Sequence, residues 1–486
     1  MRNNRRPPVR RAMLLVIAAA AMQFVCETSV AQDFDETENK TYEYYQNELW
    51  DSLIYAGEKA LDENLDYFYL RLRLGIAYFQ RENYRKAAHH LSKAYAFNSS
   101  DPVMLERLYL SYIYTNRDLE ARRVYLMFPS SLKEKYSDAG NMPVTLFSGF
   151  GSAVSNNIAN NEMKRQNQKP ADTSLTFSDL NGNRQFMHAG FRLIPHRSFL
   201  LSGNYTYLGI SKKRQILAPR NVISGYINIP DNGWYYTDTL YKKESDLHSD
   251  DYRLHQHQFY LSSKVNPGGG FILIPSFHLL SIRYETILPV AELRNAQSLD
   301  TLPSLVDYSV RYADTGFVNY IGSLGIIRSF PYLDVGLTGS WSDINGNDQV
   351  QIEPSVVVYP LGNLDLYLHT SVLLQIQDQE TAFLFRLMGG RKLFERLWME
   401  LEARAGKINN FHENNGLAVY NSGDDLLVDA GTNLYLLISE KLRLNLSYSF
   451  ASFEGKYYVY PENRPPEINK FNYYNHIITG GISWKL

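Results

Sequence analysis

The sequence has 486 residues, 49 Lys and Arg against 51 Asp and Glu, a formal net charge of −2 and 44% hydrophobic residues. This length suits two domains, and the near-neutral balance gives no electrostatic footprint for nucleic acid. A mean hydropathy of −0.33, with no long apolar run beyond the first 31 residues, excludes a helical membrane protein but not a barrel, whose strands turn half their side chains into a polar lumen.

The chain opens with Arg2, Arg5, Arg6, Arg10 and Arg11, continues with an apolar stretch from Ala12 to Val25, and reaches the small residues Ser29-Val30-Ala31. These are the three regions of a secretory signal peptide, predicted over 1–31 with the cut after Ala31. The single cysteine, Cys26, falls inside it. Val25 and Gln23 stand where a lipoprotein signal carries a small residue and a leucine, so lipidation is not predicted. The mature chain is expected to have no disulfide or thiol chemistry.

A helical, repetitive domain is predicted over 36–140. Adding 34 carries Trp50 to Tyr84, Ala60 to Ala94, Leu74 to Leu108, Tyr78 to Tyr112 and Ala87 to Ala121. Thirty-four is the period of a helix-turn-helix repeat whose small residues let two helices pack closely. Leu74, Gly75, Tyr78, Ala87, Leu91 and Ala94 resemble the tetratricopeptide pattern. About three units are expected, the opening one without a clear first helix, and Met142-Pro143 ends the zone.

From Val144 the texture changes to period 2, the alternation of strands. Fourteen strands are predicted over 144–486, each long enough to cross a bilayer at a tilt. In the clearest, Leu442, Leu444, Leu446, Tyr448 and Phe450 oppose Arg443, Asn445, Ser447, Ser449 and Ala451; in another, Leu426, Val428, Ala430, Leu434 and Leu436 oppose Asp429, Gly431 and Asn433. Connections alternate between short turns and long loops, the latter at about 156–183, 211–250, 287–314, 409–425 and 455–471. Short periplasmic turns and long outer loops are the rule for such barrels. An even strand count then puts both barrel ends, and the repeats before them, in the periplasm. The 37 Tyr and 24 Phe are residues that interfacial girdles consume. The expected class is therefore α+β multidomain, with tetratricopeptide-like repeats followed by an antiparallel transmembrane β-barrel of about 14 strands.

The last stretch alternates Tyr474, His476, Ile478, Gly480, Ile482, Trp484 and Leu486 with mostly polar residues. Thr479, Gly481, Trp484 and Leu486 resemble the C-terminal signal by which bacterial outer-membrane barrels meet their assembly machinery. The domain order resembles exopolysaccharide-export porins, which carry more repeats and typically sixteen strands; the Asn- and Tyr-rich composition looks like a Bacteroidota surface protein. The resemblance implies an outer-membrane location, contact with outer-membrane lipid and with the assembly machinery, and a pore for transport or export.

Chemistry-bearing residues are few. His255 and His257 share a strand face, but two ligands do not define a metal site. His188 and His369 fall on lumen faces, away from lipid, and no Ser/His signature accompanies them. No catalytic, cofactor-binding or metal-binding set is predicted, and an enzyme is the third choice. The best cluster is Glu400, Glu402 and Arg404 on one strand face, with Arg386 expected beside Glu402 across a short turn. With the other lumen charges it is balanced in sign, so a conduit for a near-neutral solute is expected, or else a salt-bridged, closed bore. The aromatic and basic residues of the long loops, Lys212 to Arg214 and Tyr457 to Tyr460 among them, are read as an upper girdle. The repeats are expected to recruit a periplasmic protein partner. A non-conducting scaffold of an envelope complex is the alternative function.

Overall fold

The computed structural model describes residues 34–164, 174–231, 234–294, 305–378, 380–461 and 464–486; the predicted signal peptide lies outside them. Two compact units divide the chain, one ending at Asn141 and including Pro360–Leu364, the other formed by Met142–Tyr359 and Asp365–Leu486.

The helical unit comprises α1 (34–46), α2 (Trp50–Asp62), α3 (Phe68–Gln80), α4 (Tyr84–Phe97), α5 (Pro102–Ile113), α6 (Asp118–Tyr125) and the short α7 (Ser130–Lys135). The repeat is visible in the backbone. Glu48, Glu82 and Asn116, each 34 residues after the last, take left-handed φ values of 55°, 59° and 54° between the two helices of successive pairs. Helix α1 corrects the expectation of an incomplete first unit. Its fully buried contact is polar, so a clear apolar stripe does not announce it: Thr41 is fully buried and receives a bond from Arg73 Nη1 at 3.0 Å, while Arg73 Nη2 reaches Glu38 at 2.6 Å and Tyr44 and Tyr45 pack half-buried on the core. Ala60, Leu74, Tyr78, Ala87, Ala94, Leu108, Tyr112 and Ala121 are all buried in one core. Trp50 is half-buried against it, near Tyr45. Gly75 is required by a close approach: a Cβ there would stand 2.5 Å from Leu91 Cγ.

The second unit is a closed antiparallel barrel of fourteen strands. They are β1 (Val144–Ser155), β2 (Leu175–His196), β3 (Phe199–Asp231), β4 (Trp234–Gly268), β5 (Phe271–Arg294), β6 (Leu305–Ser329), β7 (Leu333–Ile344), β8 (Asn347–Val358), β9 (Leu366–Gln377), β10 (Glu380–Phe394), β11 (Leu397–Ile408), β14 (Asp425–Leu437), β15 (Leu442–Tyr460) and β16 (Glu467–Lys485). Between β11 and β14, β12 (Phe411–Glu413) and β13 (Ala418–Tyr420) make a separate small hairpin. Strands β1 and β16 close the ring, Leu146 opposite Trp484 and Phe150 opposite Gly480. Closure leaves no unpaired edge in the bilayer, the condition for strands to cross one. The outer surface carries the apolar alternate residues: Leu146, Phe150 and Val154 on β1, Ile478, Ile482 and Trp484 on β16, Leu444 and Leu446 on β15, Leu401 on β11. Such an apolar outward band is what a barrel presents to lipid.

Three expectations are corrected, for the long loops, for the girdle read at Lys212 and Arg214, and for Leu426. The described parts of 211–250 and 287–314 are not loops: the β3–β4 ladder continues to Asp231 opposite Trp234, and β5–β6 to Arg294 opposite Leu305. Residues 175–183, 455–460 and 467–471 of the other two long loops are likewise strand, and Asn157–Asn161 is a short helix. Beyond the bilayer neither sheet face meets lipid, so backbone pairing persists while the apolar-polar alternation fades. There β3 also packs on β6, with Asn221 N and Nδ2 both 2.8 Å from Asp307 Oδ1 and Ile216, Ala218 and Ile287 buried together. Lys212 and Arg214 are no girdle; they turn in to Asp179 at 3.3 and 2.7 Å. Leu426 is the third correction. A register shift between Leu426 and Val428 turns it inward, where it is 1% exposed; a bulge flips the face on which a side chain sits.

Candidate functional site

The predicted outer loop at 409–425 folds into the barrel. Phe411 pairs with Tyr420, His412 with Val419 and Glu413 with Ala418. The turn closes through Asn414, Asn415 and Gly416, at φ 54°, 56° and 80°, left-handed values that Asn and Gly tolerate. Phe411 and Tyr420 stack with centroids 4.4 Å apart and planes within 5°. Phe411 is 1% exposed, packed with Leu373, Leu384, Ile408, Leu426, Phe453 and Tyr473.

Polar bonds tie this hairpin to strands around most of the ring. The Asn415 carbonyl accepts from Tyr260 on β4 (3.3 Å), Ser276 on β5 (2.5 Å) and Ser323 on β6 (3.0 Å). His278 Nδ1 donates to the Gly416 carbonyl at 2.6 Å. On β7, Thr338 donates to Asn415 Oδ1 at 3.2 Å and Ser340 Oγ lies 3.1 Å from His412 Nε2. The Asn410 carbonyl accepts from Gln349 on β8 and Gln375 on β9, at 2.6 and 3.2 Å. Asn181 on β2 donates to Ser422 Oγ at 3.2 Å. A buried loop must satisfy its backbone groups in this way.

The charged cluster holds the remaining side. Arg386 and Arg404 stand directly opposite each other on β10 and β11. Arg386 Nε reaches Glu402 Oε1 at 2.5 Å, and Arg404 Nη2 reaches the same oxygen at 3.0 Å. Both arginines also grip the hairpin. Arg386 Nη1 donates to Asn414 Oδ1 at 2.9 Å, while Arg404 Nη1 donates to the Tyr420 hydroxyl at 2.6 Å and lies 3.3 Å from Glu413. Glu400 stands apart from them, accepting from Tyr367 and, at 2.9 Å, from Tyr435. Sequence periodicity therefore finds the arginines and Glu402 but not the hairpin they hold. The available signal was Asn414-Asn415-Gly416, a tight-turn sequence following a histidine and a glutamate, which outer loops also use.

Two chambers flank the hairpin. One, of about 670 Å³, is lined by Asp179, Asn181, Asn319, Asn345, Asn421 and Tyr473 among others. The second, of about 750 Å³, is lined by His188, Arg192, Gln258, Glu402, Asp429 and Thr479 among others. Arg184, Leu208, Val419 and Tyr420 line both. His188 is thus in the lumen, as its face implied. His255 and His257 point outward, each with its Nδ1 on a neighbouring tyrosine hydroxyl, Tyr207 at 2.7 Å and Tyr205 at 2.8 Å. His476 pairs with Tyr448 in the same way at 2.8 Å. These outward Tyr–His pairs suit an interfacial girdle, with an apolar body and a polar tip.

The sequence matches no family model and no curated protein. Among solved structures, a Pseudomonas aeruginosa FadL homologue is similar over 71% of this chain and 90% of its own, at 7% identity and a TM-score of 0.42. The P. putida toluene transporter TodX covers 71% of this chain and 89% of its own, at 8% identity and a TM-score of 0.39. The first tetratricopeptide repeat domain of Spaghetti (RPAP3), bound to an HSP90 peptide, covers 22% of this chain and 94% of its own, at 17% identity and a TM-score of 0.21.

Proposed function

We propose that the chain is an outer-membrane pore for small solutes, its bore narrowed by the 409–424 segment, with the repeats recruiting a protein partner in the periplasm. The observation that carries the pore is the pair of chambers, about 670 and 750 Å³, sharing four wall residues at the hairpin. Fourteen strands stand between eight-stranded barrels, filled by their own side chains, and wide porins; an inserted hairpin is a way to make such a bore selective. The walls mix polar and apolar side chains, and among the described residues no nucleophile is assembled in them. Ser340 and His412 do meet, but among the described residues no carboxylate orients the other ring nitrogen, so a conduit is favoured over an enzyme. Proteoliposome swelling tests it: a pore lets small polar solutes in at rates falling with solute size, and rates equal to empty liposomes contradict it.

The second reading is a non-conducting scaffold. The bonds from the hairpin to β2 and to β4 through β11 favour it, since they hold the segment across the bore. Swelling that appears only after the hairpin is shortened selects this reading. The repeat partner rests on the concave surface that stacked helix pairs form. Crosslinking in intact cells tests it, with capture of a periplasmic protein that disappears when 33–138 is deleted.

A further inference from the structure

We propose that Arg184 is the selectivity residue of the neck between the two chambers, binding the carboxylate of a small amphipathic organic anion. This rests on the pore reading above and departs from the balanced lumen that the sequence implied.

Four residues line both chambers, and Arg184 is the charged one among them; Leu208, Val419 and Tyr420 form an apolar wall around it. Several of the other charges nearby are engaged. Asp179 takes Arg214 at 2.7 Å, Asp424 accepts from Tyr473 at 2.7 Å, Lys456 lies 3.3 Å from Asp425, and Arg404 lies 3.0 Å from Glu402. Among the described residues no hydrogen bond or ion pair holds the Arg184 guanidinium. The chamber of about 670 Å³ is the outer one, on the side of the long hairpins that Lys212 and Lys456 lead into; it is lined by Arg184, Lys212 and Lys456 against Asp179, Asp343 and Asp424. The inner one is lined by Arg184, Arg192, Lys264 and Arg404 against only Glu402 and Asp429. A cleft with an excess of one sign concentrates counter-ions, and cationic linings select anions in pores.

The ligand class follows from the wall. A guanidinium presents a planar fork that fits a carboxylate through two parallel bonds. Leu208, Val419 and the Tyr420 ring bury an apolar body beside it. That ring is fixed, with one face on Phe411 and its hydroxyl on Arg404, so the pocket is formed before the ligand arrives. Arg192, on the same face of β2 and in the inner chamber, gives the anion a second cation along its path.

The test uses the full chain in detergent and in planar bilayers. Calorimetry with cyclohexanecarboxylate, acetate and inorganic phosphate reads binding without requiring current; reversal potentials in a KCl gradient read selectivity. The expected result is binding of cyclohexanecarboxylate ahead of acetate and phosphate, and chloride favoured over potassium by roughly fivefold, the effect of one nearby charge in a wet bore. Arg184→Gln should weaken carboxylate binding at least about tenfold, the loss of a charge-assisted bond, and bring the permeability ratio to near one. Arg184→Lys should keep the ion preference while weakening carboxylate binding, and it preserves the test where the glutamine variant does not fold. Binding of phosphate ahead of both carboxylates overturns the ligand class. Equal carboxylate binding by wild type and Arg184→Gln, or a cation-selective wild type, overturns the proposal. Absence of current with Arg184-dependent carboxylate binding overturns the pore and leaves the site standing.

Discussion

Replacing Glu402 by glutamine separates two carboxylates that the sequence makes look alike. Among the described residues Glu402 is the only carboxylate to which Arg386 is bonded, at 2.5 Å; the other partner that Arg386 keeps is the neutral Asn414 oxygen at 2.9 Å. Arg404 loses less, because Tyr420 at 2.6 Å and Glu413 at 3.3 Å remain. Breaking a buried pair by removing one partner costs about 3–5 kcal/mol. One arginine of the two is stranded, a chamber adjoins the residue 402 side chain and glutamine still accepts a bond, so the loss should be about 2–3 kcal/mol. Glu400→Gln should cost only about 1 kcal/mol, because its bonds come from the neutral hydroxyls of Tyr367 and Tyr435. Urea unfolding of the lipid-reconstituted chain by tryptophan fluorescence measures both. Combining Glu402→Gln with Arg386→Met should cost at least about 1 kcal/mol less than the sum of the single changes, since the double variant removes the arginine that Glu402→Gln alone strands. Equal losses at 400 and 402, with additive double-variant energies, would refute the cluster as the clamp on the hairpin.

Trp484→Ala with Leu486→Ala removes two lipid-facing side chains, 56% and 61% exposed at the end of the last strand; each is worth roughly 1–2 kcal/mol at the interface, and heat-modifiable migration in outer-membrane fractions should fall, whereas normal yield would count against the seam. Acid should unfold the repeats before the barrel. His90 is lowered by burial, His89 is lowered by burial to about 4, and Glu58, facing His90 and bonded by Tyr78 and Lys86, lies well below the usual carboxylate range. All three bind fewer protons folded than unfolded, so stability is full above about pH 6.5 and declines as the pH falls through 4; the helical signal at 222 nm should melt at lower temperature at pH 4 than at pH 7, and an unchanged or higher melting point refutes the assignment. Deletion of 33–138 should leave the barrel heat-modifiable, since strands satisfy their backbone by pairing with one another; loss of the folded band shows that the barrel needs the repeats.

What the sequence made legible was what lipid and close packing impose. Strand β1 lies at the predicted 144–155, and Arg386 sits beside Glu402 as the antiparallel register required. The 34-residue spacing returned as three left-handed turns. What stayed hidden was polar on both sides. Helix α1 buries a threonine, the long hairpins lose the lipid that marks a strand, and the 409–424 segment exchanges water for hydroxyls and amides of the wall. A polar loop looks the same in sequence whether it faces water or a ring of hydrogen-bonding side chains. The near-neutral count over the whole lumen also concealed the local excess of cations in the inner chamber, because periodicity assigns faces and not heights.

The hairpin tip lies inside the bore against β6, and a crosslink measures this placement directly. A Cβ built on Gly416 would stand 3.9 Å from Ile321 Cβ, within the range that a disulfide spans. Gly416→Cys with Ile321→Cys, in a chain whose Cys26 lies in the predicted signal peptide, should form an intramolecular bond under mild oxidation. It would appear as a reductant-sensitive shift of the denatured protein on a gel, with neither single variant shifting. Two cysteines that stay unlinked, with residue 416 open to a bulky membrane-impermeant maleimide from outside the cell, would put the segment on the surface and contradict the account.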